Sequence, residues 1–269
     1  MEFNNETIRI AGNLYARNET EGEEKYGHIN TWNVSNVTDM SQLFSGANAF
    51  NQSLNNWDVG NVTNMDSMFA CAASFNQPLN NWNIINVTNM RGMFWSASSF
   101  NQPLDNWNVS NVTNMFYMFG FAKIFNKPLN TWNVSKVTDM LGMFCFVELF
   151  NQPLDNWNVS NVTNMNNMFE KASSFNQPLI NWNVGNVTNM HSMFNSTTIG
   201  EMLQKHNLTT KNYFDKNVYH ELFVWPRKKD YVTFLVNNQY LPLNKHQEKH
   251  EYHPLFDNTD MSKYIACYL

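Results

Sequence analysis

A tryptophan recurs every 25 residues through most of the chain. The copies stand in the same sequence setting at Trp32, Trp57, Trp82, Trp107, Trp132, Trp157 and Trp182. Internal repetition at a fixed period of this length is typical of proteins that stack similar units on one another. The repeats therefore predict a seven-repeat solenoid over residues 29–196. Residues 1–28 are predicted as an N-terminal cap, and residues 197–269 as a C-terminal cap or a small α+β domain.

The first segment of each repeat has the pattern of a strand. In the second repeat this is the stretch 54–59, where Trp57 and Val59 stand two residues apart and so share one face. The residue between them lies on the opposite face. Because stacked strands are about 4.8 Å apart, its counterparts are expected to form a column. This polar strand face consists of Asn33, Asp58, Asn83, Asn108, Asn133, Asn158 and Asn183. It could bond a polysaccharide or a protein, although its uniformity argues against a selective pocket.

The second segment of each repeat has the pattern of a short helix. In the second repeat, Met65, Met68, Phe69 and Ala72 follow the spacing i, i+3, i+4 and i+7 of one helix face. Thr63 is predicted as the N-cap of this helix, and a 3-10 or mixed geometry would also fit its short length. The predicted fold class is therefore α/β, a solenoid with one short parallel strand and one short helix in each repeat.

The segments outside the repeats carry weaker signals. Residues 7–10 alternate polar and apolar side chains and are predicted as an edge strand that covers the first coil. Residues 231–241 have the pattern of a β-hairpin. His246, His250 and His253 could gather a metal ion on a helix, but their spacing lacks the His-Glu-x-x-His order, so we interpret them as a solvated charged turn.

The repeat resembles that of a known family. The pattern Trp-x-Val-Ser-Asn-Val-Thr-Asn-Met-x-x-Met-Phe-x-x-Ala-x-x-Phe-Asn-Gln is similar to the BspA-like leucine-rich repeat proteins, in the variant catalogued as a Mycoplasma-type surface-protein repeat of unknown function. The resemblance implies a leucine-rich-repeat solenoid with its strand at 54–59 and its helical segment at 63–72. Many members are bacterial surface proteins that bind partners, and others occur in large DNA viruses and protists.

Composition and motifs argue against several functional classes. The formal net charge of −5 gives no reason to expect nucleic acid as a partner. We find no secretory signal, transmembrane segment, phosphate-binding glycine loop or nucleophile motif, so we expect no enzyme activity, cofactor or metal and a location in a virion or the cytoplasm. Sequons such as Asn61-Val62-Thr63 formally permit glycosylation, but their place in the repeat favours a structural role.

Apolar residues replace polar ones on the helix side of the middle repeats. These residues are Trp95, Phe116, Tyr117, Phe121, Ile124, Leu141, Phe146 and Leu149. An exposed apolar surface of this kind usually marks a protein interface, although packing against a terminal segment would also explain it. We therefore predict a non-enzymatic repeat scaffold that binds other proteins within a multi-subunit assembly, such as a virion or capsid. Self-association is one option, and the alternative function is a surface adhesin that binds host protein or polysaccharide.

Overall fold

The computed structural model describes residues 1–224. The predicted hairpin at 231–241 and the histidines His246, His250 and His253 lie outside these described residues. Helices and helical turns lie at the two ends of the repeats: α1 (Asn5–Arg17), α2 (Glu19–Tyr26), a 3-10 turn (Ile29–Thr31), α3 (Thr198–Lys205), α4 (Thr210–Tyr213), α5 (Lys216–Tyr219) and a π-helical turn (His220–Val224).

Beyond the 3-10 turn at their start, the repeats contain neither helices nor strands in the described part of the chain, so the predicted α/β solenoid with one strand and one helix per repeat is wrong. The stretch 54–59 includes a turn in which the Trp57 amide donates to the Leu54 carbonyl at 3.1 Å. Each repeat is instead one coil of turns and loops. Isolated parallel bridges connect successive coils through single residues, namely Asp39, Asn64, Asn89, Asn114, Asp139, Asn164 and Asn189.

The stretch predicted as helical is a run of tight turns. In the second coil, the Met65 and Phe69 amides donate to carbonyls of the third coil, each at 2.9 Å. The Met68 and Ala72 amides donate back to carbonyls three residues earlier, at 3.3 and 3.0 Å. The amides of this stretch thus donate in part to carbonyls of the next coil and in part to carbonyls of their own coil. We call residues 65–72 and their counterparts in each coil the turn ladder.

The predicted helix cap is also wrong. The Thr63 hydroxyl donates to the Thr38 carbonyl of the preceding coil at 3.2 Å, instead of accepting from a helix N-terminus. Two residues of the turn ladder, Ser67 and Cys71, have positive φ angles of 55° and 57°. Right-handed helices exclude this conformation, so their backbone amides bond across coils rather than to the fourth preceding residue.

The core is a set of aromatic columns that run through the stack. The Trp57 and Trp82 rings are parallel within 1°, with centroids 6.4 Å apart. The Trp82 indole N–H donates to the Leu54 carbonyl at 3.0 Å, which satisfies a polar group that would be costly to bury alone. Beside this column, Phe69 and Phe75 stack at 4.0 Å within one coil. Each coil therefore adds one layer to the same core.

Asparagine ladders bind the coils together at their turns. The Asn76 side-chain oxygen accepts from the Asn101 amide at 2.9 Å, and Asn51 accepts from Asn76 in the same way. These turn asparagines thus bond the backbone of the adjacent coil. The sequon residue Asn61 also has a structural role, since its side-chain amide donates to the Ser35 carbonyl at 2.8 Å.

The N-terminal end of the stack is covered by α1, so the predicted edge strand at residues 7–10 is wrong. Asn4 caps this helix by accepting hydrogen bonds from the Glu6 and Thr7 amides. The Tyr15 ring meets the first tryptophan, Trp32, edge-on at 5.6 Å. The amphipathic helix thereby shields the end of the tryptophan column from water.

The C-terminal end of the stack meets α3 and α4. The Tyr213 ring contacts Phe194 at 5.0 Å, and its hydroxyl accepts from the Leu179 amide at 3.1 Å. Burial raises the pKa of Tyr213 above the ordinary tyrosine value. Gly200 stands where the repeat would place a phenylalanine, and it lies in α3, where a β-carbon would collide with the Phe194 carbonyl oxygen. This glycine allows the chain to turn from the last coil into α3.

Candidate functional site

The apolar residues predicted as an interface lie on the turn ladder of the third, fourth and fifth coils and on the residues that follow it. Trp95, Ile124 and Leu149 are 40%, 38% and 51% exposed, which sets them apart from the fully buried core. The others are half-buried: Phe116, Tyr117, Phe121, Leu141 and Phe146. Whether they form an interface stays a prediction, but their side chains are accessible.

Five of these residues form one cluster, here called the aromatic surface: Trp95, Phe116, Tyr117, Phe121 and Phe146. The Trp95 ring meets Phe121 edge-on at 6.2 Å, and Phe121 stacks on Phe146 at 4.5 Å with an 11° tilt. Phe116 and Tyr117 are in contact at 4.9 Å. Rings from three successive coils therefore pack against one another on the outside of the stack.

Three predicted residues flank the aromatic surface. The Leu141 carbonyl accepts from the Tyr117 amide at 2.8 Å, which places it one coil further along the turn ladder. Ile124 and Leu149 follow the turn ladder in the fourth and fifth coils, where the Leu149 amide donates to the Lys123 carbonyl at 3.1 Å. They extend the apolar character of the same two coils.

A groove runs along the aromatic surface. Its volume is about 430 Å³, and it is lined by Ser67, Arg91, Gly92, Trp95, Phe116, Tyr117 and Phe121. The volume lies in the range of sites that accept an apolar side chain or a small ligand. The groove exists because Ser67 and Gly92 present small or no side chains next to the bulky rings.

The backbone holds three of the aromatic residues at positive φ. The angles are 49° at Tyr117, 62° at Phe121 and 58° at Phe146. This conformation is unusual for bulky side chains and costs about 1–2 kcal/mol per residue. Their counterparts in other coils are glycine or residues that are mostly small or polar: Gln42, Gly46, Ser67, Cys71, Gly92, Ser96, Gly142, Asn167, Lys171, Ser192 and Ser196.

Two glycines make room for the Tyr117 ring. A β-carbon on Gly142 would lie 2.5 Å from Tyr117 Cε1, and a β-carbon on Gly120 would lie 2.6 Å from Tyr117 Cδ1. Both distances are far below carbon–carbon contact at about 3.5–4.0 Å. The ring therefore packs directly against these two glycines and leaves no room for a side chain at either site.

A thiol lies beneath the aromatic surface. Burial, together with the neighbouring Glu170 carboxylate, raises the pKa of the Cys145 thiol to about 12. Its sulfur lies 3.8 Å from Glu170 Oε2. Burial raises the pKa of the adjacent Tyr117 as well, followed by the effects of Cys145 and Glu170. A thiol with such a high pKa stays protonated near neutral pH and makes a poor nucleophile.

Charged side chains border the aromatic surface, and sequence reasoning missed them. The Arg91 guanidinium lies over the Phe116 ring at 5.1 Å and pairs with Asp66 at 3.5 Å. The Lys171 ammonium lies over Phe146 at 4.6 Å. Each cation stands 25 residues from its aromatic partner, so the repeat period itself could have revealed both pairs.

The asparagine column does not lie on a strand face, because the described coils contain no strand. Its members (Asn33, Asp58, Asn83, Asn108, Asn133, Asn158 and Asn183) are exposed, and whether they bind a ligand stays a prediction. In each, however, the side-chain oxygen accepts a hydrogen bond from the amide two residues later, as Asn108 does from Ser110 at 3.1 Å. The column therefore stabilises local turns.

No cluster of three or more His, Cys, Asp or Glu side chains within residues 1–224 could hold a metal ion. Over the same range, no helix has both the length and the apolar character needed to cross a bilayer.

Comparison with known proteins gives one match. The model of a family described as "Mycoplasma protein of unknown function, DUF285" matches residues 14–132 and 120–219, most of the chain. The comparison supports the Mycoplasma-type repeat family, and the BspA-like leucine-rich repeat name is not confirmed. Neither a curated protein nor a solved structure matches significantly.

Proposed function

The chain belongs to the DUF285 family, and we propose that it is a repeat scaffold that binds another protein through the aromatic surface, as one component of a larger assembly. Its contribution is contact rather than catalysis. The narrower predictions of a place in a virion or capsid, and the alternative of a surface adhesin, stay predictions.

One observation supports this proposal above all. Tyr117, Phe121 and Phe146 occupy left-handed backbone positions where other coils of the same stack have Ser, Gly, Asn or Lys. The stack folds with those smaller or polar residues, so its stability does not require rings there. Strained conformations of this kind gather at functional sites, where the surrounding structure holds them.

The composition of the surface also favours a protein as partner. Its centre is aromatic, while Arg91, Lys171 and Asp66 stand at its border. An apolar, aromatic centre with a charged border is the usual anatomy of a protein interface. Positive charge does not dominate this border, as a polyanion site would require. The groove between Trp95 and Tyr117 would accept an apolar side chain of the partner.

The test compares two surface variants of the full chain. Trp95→Ser removes the most exposed ring of the aromatic surface, and Ile10→Ser removes a 57% exposed side chain of α1 as the matched control. Tagged chains are used to isolate complexes from the native source, and the partner that binds is then purified. Binding of that partner is measured by calorimetry with each variant.

Trp95→Ser should weaken binding at least about tenfold, because an aromatic residue at an interface centre commonly contributes 2 kcal/mol or more, whereas Ile10→Ser should leave it unchanged. Thermal melts of both variants check that the fold persists. Equal affinity of the wild type and Trp95→Ser would contradict the proposal.

A further inference from the structure

The last coil ends the turn ladder with unused hydrogen-bond donors. In the interior, Met165, Asn167, Phe169 and Lys171 donate their amides to carbonyls of the seventh coil at 2.7–2.9 Å. The counterparts of these amides in the seventh coil have no acceptor within the described part of the chain. We call this row the terminal edge: Met190, Ser192, Phe194 and Ser196.

The terminal edge offers donors only. The Met190, Ser192 and Phe194 carbonyls already accept bonds from amides three residues later, at 3.3, 3.1 and 3.1 Å. A segment that pairs with this edge must therefore present main-chain carbonyls at every second residue. Each interior coil presents carbonyls to the preceding coil in this way.

Apolar side chains of the last coil are incompletely covered. Val187 and Met190 are half-buried, whereas their counterparts Val162 and Met165 are fully buried beneath the following coil. At the other end of the stack, Met40 of the first coil is fully buried. The two ends of the stack thus differ, and the seventh coil leaves apolar surface of the kind that the other coils cover.

A groove of about 740 Å³ lies along the terminal edge. One wall is the row from Met190 to Ser196, and the other is formed by α3 and residues 207–211. The groove therefore gives a further chain segment access to the donor row.

We infer that the terminal edge binds a segment of a partner polypeptide, which pairs as an additional coil through its carbonyls and covers Val187 and Met190. The site continues the coil-to-coil interface that holds the stack together. A second copy does not fit, because its own terminal edge also presents donors. Its first coil is also covered: Arg9 of α1 bonds the Ser41 carbonyl at 2.5 Å, and α1 packs on Leu43.

The experiment uses a labelled peptide with the sequence of residues 161–173, whose carbonyls accept from the fifth coil in the intact chain. Its binding to the full-length protein is followed by fluorescence anisotropy, with a scrambled peptide as reference. Met190→Lys places a charge on the terminal edge. Asn181→Lys adds the same charge at an exposed position of the same coil outside the groove and is the matched control.

The peptide should bind at least about tenfold more tightly than its scrambled form to the wild type and to Asn181→Lys, and Met190→Lys should abolish this preference. Hydrogen exchange should slow at the Ser192 and Ser196 amides when the peptide is added. No preference over the scrambled peptide, or equal binding to Met190→Lys, would overturn the inference. A dimer in light scattering that Met190→Lys dissociates would also overturn it, because the occupant would then be a second copy.

Discussion

Gly142→Ala should destabilise the protein by about 2–5 kcal/mol, and the structure separates this cost into two parts. Gly142 has φ +59°, and an alanine in that conformation costs about 1–2 kcal/mol. The new β-carbon would also lie 2.5 Å from Tyr117 Cε1 and Cζ, about 1 Å inside contact distance. Because Gly120 also lies close against this ring, this overpacking should add about 1–3 kcal/mol.

The matched control is Gly46→Ala. Gly46 also lies in a turn ladder with positive φ, +75°, but no atom lies within 4 Å of its added β-carbon. It should therefore show the backbone cost alone. Both variants are compared with the wild type by urea denaturation at 25 °C, with circular dichroism as the signal and equal slopes as the check that the transition is unchanged.

A double-mutant cycle isolates the contribution of the ring. In a Tyr117→Ser background, Gly142→Ala should cost no more than Gly46→Ala, so the coupling between the two sites should equal the overpacking of about 1–3 kcal/mol. Equal costs for Gly142→Ala and Gly46→Ala in the wild type, or no coupling to Tyr117, would refute the conclusion that the Tyr117 ring requires a glycine at position 142.

Three further predictions follow from the coil contacts. Asn76→Ala should lower the free energy of unfolding by about 1–3 kcal/mol, because the Asn101 amide of the next coil loses its acceptor. The control is Asn48→Ala, since the Asn48 side chain makes no hydrogen bond within residues 1–224. It should lower the free energy of unfolding by less than about 0.5 kcal/mol in the same denaturation assay. The Cys145 thiol keeps its proton in the folded chain up to about pH 12, but in the unfolded chain only to about pH 9. The protonated thiol therefore stabilises the folded chain fully below about pH 9, and this contribution falls as the pH rises from about 9 to about 12. The free energy of unfolding of the wild type should fall relative to that of Cys145→Ala over the same pH range. Gly200→Ala should lower the melting temperature by several degrees, since its β-carbon would collide with the Phe194 carbonyl, and an unchanged melting curve would contradict that placement.

The tryptophan period predicted which repeated residues are buried together, but it could not predict the backbone. Trp57, Val59 and Met65 are 3%, 1% and 0% exposed, as expected for core residues. The helical spacing of the second segment was misleading, because a run of turns with hydrogen bonds across three residues also returns side chains to one face at intervals of three and four. Periodicity indicates which side chains share a face, but it does not indicate which carbonyls accept hydrogen bonds from the backbone amides. The positive φ angles that decide against a helix have no signal in residues such as Ser67 and Cys71.

The aromatic surface could be predicted as a set of residues but not as a geometry. Comparing repeats singles out Tyr117, Phe121 and Phe146, because each departs from the polar or small residues at its position. Their mutual stacking and the groove depend on the turn ladder, which the sequence did not indicate. The N-terminal helix was missed because residues 7–10 alternate polar and apolar side chains, whereas the helix is marked by a capping residue before them, Asn4.

The position of the aromatic surface within the stack has a physical reason. A left-handed bulky residue persists only where its neighbours over-determine the backbone. The turn ladder of the fourth coil pairs with coils on both sides: the Phe94 amide of the third coil donates to the Met118 carbonyl, and the Phe119 amide donates to the fifth coil. The seventh coil has such pairing on one side only, and its left-handed positions hold Ser192 and Ser196. The bulky left-handed residues thus lie in coils that are held from both sides, while the coil with an unpaired edge has small residues at these positions and an open groove.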